Sequence, residues 1–172
     1  MRVFVAAALL AFGLAGCVLQ SPDALFPEAK GVAALEKLGM RFTSESLSKG
    51  VWVAEDGGEI IFTRQGKHYV ARNSNENDEI TVLFVPLGSG RFVLQAQEGE
   101  GKPFAYMIAS ISEGRMMMSP LFCDELKANA ELAAQVTFTG TDCSARATWT
   151  AKSFAKAADV VAPARIRLTP VK

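Results

Sequence analysis

The chain has 172 residues, 49% of them apolar, and its 18 basic side chains balance 18 acidic ones. That length suits one domain with an ordinary core and is short for two. A neutral balance creates no overall field, which argues against nucleic acid as a partner and leaves any recognition to local features.

The first element in the chain is an unbroken apolar stretch, 3–13, preceded by Arg2 and the free amine and followed by small residues. This is the three-part plan of a secretory signal. A helix needs about 20 apolar residues to cross about 30 Å of hydrocarbon, and Gln20-Ser21-Pro22-Asp23 ends this run early, so a spanning anchor is the second reading. The stretch closes on Leu14-Ala15-Gly16-Cys17, which resembles the lipobox of bacterial lipoproteins: an aliphatic residue, two small ones, then the cysteine that becomes the mature N-terminus.

The resemblance implies that 1–16 is a signal peptide cut away after Gly16, and that the Cys17 thiol carries a diacylglycerol. One acyl chain holds marginally, whereas two or three anchor durably, so the implied partner is a membrane. Val18 follows the cysteine, where an Asp would retain a lipoprotein of enteric bacteria in the inner membrane. The implied address is the outer membrane of an organism with two. With Cys17 given to lipid, Cys123 and Cys143 remain as a pair in an oxidising compartment, and a structural disulfide is expected. Free or metal-binding thiols are the alternative, although the spacing matches no redox or zinc motif and His68 is the one histidine available.

Residues 17–40 read as a lipidated N-terminus, a linker and a short helix, and 41–172 as a single β-rich domain. Val32, Leu35 and Leu38 recur at helical spacing and Gly39 stands ready to stop the helix. From Gly50 the pattern changes to strands at 51–54, 59–65, 67–73, 79–87, 91–97, 103–111 and 115–122. Their separators are short and rich in Gly, Asn and Asp, which supply the positive φ angles of hairpin turns. Loops of this length cannot hold crossover helices, so the strands should form an antiparallel meander.

A helix is expected at 124–135, then a hairpin around Cys143, then an alanine-rich helix at 150–160 with Phe154 and Ala158 on one face. Pro163 opens a last strand in which Ile166 and Leu168 point one way and Arg165 and Arg167 the other. The fold class is therefore mainly β: a meander forming a small barrel or strongly curved sheet, with a short N-terminal helix and one or two C-terminal helices.

Gly50-Val51-Trp52, preceded by Phe42 and Leu47, is similar to the opening signature of lipocalins, and the resemblance implies a barrel. Ser112-Glu113-Gly114 stands where that family has Thr-Asp-Tyr, so no ligand pocket is carried over. Trp52 reads as a core or barrel-plug aromatic, with a ligand contact as the alternative.

The remaining motifs fail on spacing. Gly99-Glu100-Gly101-Lys102 has Ala96 where a phosphate loop needs its first glycine and Pro103 where it needs Ser or Thr. Gly88-Ser89-Gly90 is no nucleophile elbow. The loop Asn73-Ser74-Asn75-Glu76-Asn77-Asp78-Glu79 is rich in oxygen ligands but lacks the central glycine of a calcium loop, and Met116-Met117-Met118 cannot converge from one strand. The expectation is a non-enzymatic module without metal or cofactor, binding a small apolar ligand or an envelope protein. An inhibitor or assembly factor acting through a protein interface is the alternative, and an envelope hydrolase the third reading.

Overall fold

A computed structural model describes residues 18–75, 77–161 and 163–171. Cys17 and the stretch before it lie outside the described residues. The meander expected from the turn residues is present: β2 (Arg41–Ser48), β3 (Val51–Ala54), β4 (Ile60–Gln65), β5 (His68–Asn73), β6 (Glu79–Gly88), β7 (Arg91–Gln97), β8 (Phe104–Ser112) and β9 (Arg115–Pro120). Each barrel strand pairs antiparallel with its neighbour. The last strand, β12 (Ile166–Pro170), enters between β9 and β2 and joins both. The result is a closed barrel of eight strands: β2, β4 to β9, and β12. β3 continues the line of β4 along one edge of β2 and lies off the ring.

Strand alternation sends one set of side chains inward. Phe42, Phe62, Tyr69, Phe84, Met116, Met118, Ile166 and Leu168 belong to the inner core. The Phe62 ring meets Phe42, Tyr69 and Phe84 at centroid distances of 5.6, 6.2 and 6.4 Å. Such tilted aromatic contacts fill the middle of the barrel with the chain's own rings.

A second core covers the outer face of β6, β7 and β8, where Leu83, Val85, Val93, Tyr106 and Ile108 meet Phe154, Leu126 and Leu132 from the helical layer. β6 is thus buried on both faces, which explains why Val82-Leu83-Phe84-Val85 is continuously apolar instead of alternating. The layer consists of α1 (Cys123–Ala128), α2 (Ala130–Ala133), the hairpin β10 (Val136–Thr139) and β11 (Asp142–Ala145), and α3 (Ala151–Val160). Thr150 and Ser153 cap α3 reciprocally.

The expected helix at 124–135 is two helices. Asn129 takes an extended conformation between them, and its side chain accepts from the Leu132 N–H at 3.1 Å, so the break is also a cap. The Cys123–Cys143 disulfide is formed, with Cα atoms 5.6 Å apart, and ties α1 to β11.

In the N-terminal third one expectation is corrected and one unannounced strand appears. No helix forms at 32–38; a three-residue 3-10 turn (Glu28–Lys30) is followed by turns. Tertiary partners hold the segment instead: Val32 N–H donates to the Phe84 carbonyl and Leu35 N–H to the Tyr69 hydroxyl. Leu35 itself is fully buried in the inner core and closes that end of the barrel. Residues 41–48 form a strand that the apolar pattern did not announce, because Ser44 and Ser46 share the inward side with Phe42 and blur the alternation. The described residues 18–40 pack onto the domain, with Leu19 and Phe26 in the outer core and Leu35 in the inner one.

That last point rests on a strap. β1 (Leu19–Ser21) lies between β8 and β11. Beyond it, the Gln95 side chain acts as a surrogate peptide, accepting from Phe26 N–H and donating to Phe26 O, both at 3.0 Å. The Tyr106 hydroxyl accepts from Leu25 N–H at 3.1 Å. Burial pushes the Tyr106 phenol up to about 12, with the Leu25 bond partly opposing it. Gly31 is required where the strap crosses the barrel, since a Cβ there would stand 2.5 Å from the Lys67 carbonyl oxygen.

Breaking the disulfide as Cys123→Ala with Cys143→Ala should cost about 3 kcal/mol in the chain-entropy account, measured by denaturant unfolding of the two proteins. An unchanged midpoint would contradict the view that this bond holds the outer layer.

Candidate functional site

The helical layer covers one side of the barrel exterior, and the outer face of β9, β12, β2 and β3 stands outside that second core. Register fixes what this face carries. Met117, Arg167, Glu45 and Ala54 form one row across the four strands, and Leu47 pairs with Trp52 in the next. The inward set on the same strands is Met116, Met118, Ile166, Leu168 and Phe42, so Arg115, Met117, Arg165, Arg167, Glu45 and Leu47 alternate outward.

At the centre Arg167 grips Glu45 with both arms of its guanidinium, Nε and Nη2 each 2.6 Å from a carboxylate oxygen. Planar two-point pairing of this kind is the strong form of an ion pair. Its hydrogen bond from Arg167 holds the Glu45 carboxyl below the usual range, with help from the charges of Arg167 and Arg115 and some opposition from desolvation. The same bond raises Arg167. The Arg167 guanidinium also lies 4.7 Å from the centre of the Trp52 ring, a cation–π contact that holds the indole flat against the face.

Trp52 is half-buried and belongs to neither core, so the structure places it outside the barrel and not as a plug. Gly50 likewise sits in a hairpin turn rather than at the start of the first barrel strand. Lys49 at φ 50° and Gly50 at φ 81° are both left-handed, the twist that a two-residue β-turn between β2 and β3 demands. The hairpin overshoots the ring: β12 follows β2 only as far as Ser46, while β3 pairs with it to Ser48. Val51, opposite Ser48, therefore lies beyond the rim and Val53, opposite Ser46, at it, 64% and 48% exposed, both alternating away from Trp52. Among the described residues β3 pairs with β2 alone.

Other residues singled out in the sequence have plainer places. His68 Nδ1 lies 2.9 Å from Glu28 Oε1, a partner from the strap that sequence spacing could not reveal, and this bond lowers the Glu28 carboxyl. Met116 and Met118 are in the inner core while Met117 faces out. Gly88-Ser89-Gly90 and Gly99 to Lys102 are turns between paired strands. Asn73 points inward at the barrel end; its Oδ1 accepts from Asn75 N–H, and its buried Nδ2 has no partner among the described residues. Among the described residues no group of three or more His, Cys, Asp or Glu is gathered to hold a metal, and no helix is long and apolar enough to cross a membrane.

No protein-family model matches the chain, and no solved structure matches it. Over 80 residues it is 32% identical to an uncharacterised protein of Methanocaldococcus jannaschii, an overlap covering 42% of this chain and 28% of that protein. The chain thus spans well under a third of its length.

The Glu45 carboxyl should titrate below an ordinary glutamate, and Arg167→Gln should return it upward, followed by carboxyl NMR chemical shifts. A lowered carboxyl stabilises the fold above its ordinary pKa, and that contribution is lost as pH falls through the lowered value. The stability deficit of Arg167→Gln should accordingly be largest near neutral pH and close towards the parent as pH falls through the lowered value.

Proposed function

We propose that this protein is a lipid-anchored envelope module that binds through the outer surface of a solid barrel, without catalysis. The anchoring reading is supported by the apolar leader that ends on Leu14-Ala15-Gly16-Cys17 and by the Cys123–Cys143 bond, which suits an oxidising compartment. Val18 after the cysteine favours the outer membrane where there are two.

The observation that carries surface binding is the packing of the interior. Phe42, Phe62, Tyr69 and Phe84 touch one another across the barrel, and Leu35 closes one end. This weighs against a carrier for a bulky apolar ligand, which needs a chamber lined by its host. It leaves the face outside the second core, with Trp52 and the projecting β2–β3 hairpin, as the working surface. The displaced titrations fit a binding module: Tyr106 is engaged by the strap, and Glu28, Glu45 and Arg167 in ion pairs. An inhibitor or assembly factor is the second reading, favoured by the free edge of β3, which an extended segment of a partner could lengthen by strand addition.

The expected outcome for Cys17→Ser is loss of the acyl mass and retention of the leader, read by intact mass against the parent. Native mass spectrometry of the detergent-extracted wild type should show the polypeptide and its acyl groups alone. A parent without acyl groups, or a variant processed like the parent, would sink the anchor, and a stoichiometric co-purifying small molecule would sink surface binding.

A further inference from the structure

We propose that the uncovered face of β9, β12, β2 and β3 lies against the phospholipid surface of the membrane to which Cys17 is attached, with the β2–β3 hairpin as its leading edge. This rests on the anchoring reading above and adds the partner of the surface described there.

Tether length is the first argument. Val18 is bridged to Phe122, and Leu19 donates its N–H to the Leu121 carbonyl at 2.8 Å while its side chain is fully buried. One peptide link, about 3.8 Å between Cα atoms, separates an acylated Cys17 from rigid structure. With no slack, the domain cannot swing away from the bilayer, and some face of it must rest there.

The tether emerges beside the proposed face. Phe122, the bridge partner of Val18, has the Arg165 guanidinium 4.6 Å from its ring centre. Arg165 and Arg167 alternate outward on the last strand, and Arg167 covers Trp52. The surface from anchor to hairpin is therefore continuous: Phe122, Arg165, Arg167, Trp52.

Its chemistry is that of a membrane interface. Arg167 and Arg165 are paired with Glu45 and Glu125, while Arg115 and Lys49 offer basic groups to lipid phosphates. An indole backed by guanidinium groups suits the headgroup level, where aromatic and basic side chains collect. Val51 and Val53 alternate to the other side of β3 from Trp52; exposed at the tip of the hairpin, they can enter the apolar boundary only where the hairpin meets the bilayer edge-on. Each contact is weak alone, but a short tether makes docking intramolecular, so a weak contact suffices.

The test uses acylated full-length protein reconstituted in phosphatidylethanolamine and phosphatidylglycerol vesicles whose acyl chains carry bromine near the headgroup. Trp149 is buried and its indole N–H donates to the Gln135 carbonyl, so quenching of tryptophan fluorescence reports on Trp52. Strong quenching is expected, lost in Trp52→Phe and largely lost in Val51→Asp with Val53→Asp, while the thermal melt of the double variant stays that of the parent. Absence of quenching in protein whose Cys17 is acylated by mass would overturn the docking and leave the anchor standing. An unmodified Cys17 would remove both.

Discussion

The ring closes only when the last strand of the chain slides between β9 and β2. Until β12 arrives, both of those strands present a row of unpaired backbone donors and acceptors, and Ile166 and Leu168 are missing from the inner core. Closure removes two edges at once and seals the aromatic interior. It also assembles the exterior, because Arg167 reaches Glu45 and Trp52 only from β12. Core, ring and candidate surface thus depend on one nonlocal pairing made by the C-terminal strand, the kind of contact whose loop-closure cost makes it slow to form.

Inside that ring the wall of β6, β7 and β8 serves two cores. Its inward side chains join the aromatic packing, and its outward ones are roofed by α1, α2, α3 and the β10–β11 hairpin. This asymmetry gives the barrel a thick side and a thin side. The thick side absorbs the strap through Gln95 and Tyr106, whose polar groups satisfy backbone that would otherwise be buried unpaired. The thin side keeps its charged and aromatic residues in reach of whatever lies outside. Function is argued on the thin side because the thick one is already occupied by the chain itself.

Much of this was legible in the letters. Glycines and short polar turns marked β4 through β9, and alternation in Arg165-Ile166-Arg167-Leu168 gave the last strand its two faces. Periodicity likewise placed α3. What stayed hidden depends on tertiary partners. The 32–38 segment has a helical pattern, but it is bound into the barrel end through Phe84 and Tyr69 and is built of turns. β2 hides its inward face behind Ser44 and Ser46, and the helix read at 124–135 conceals the cap at Asn129. For the candidate site, Trp52 was visible as a residue of interest but its setting was not, since nothing in the local sequence links it to an arginine on the far side of the chain. The pairing of His68 with Glu28 was unreadable for the same reason.

The placement of the disulfide has a mechanical side. Leu19 pairs in parallel with Cys143, and Val18 bridges Phe122, the neighbour of Cys123. A pull on the N-terminus would load β1 along its length, in shear against β8 and β11, so that its hydrogen bonds must fail together and cannot unzip singly. The force would then pass into the two segments that the sulfur bridge ties together. A chain hauled from a lipid surface by its first residues would be gripped where its covalent cross-link stands.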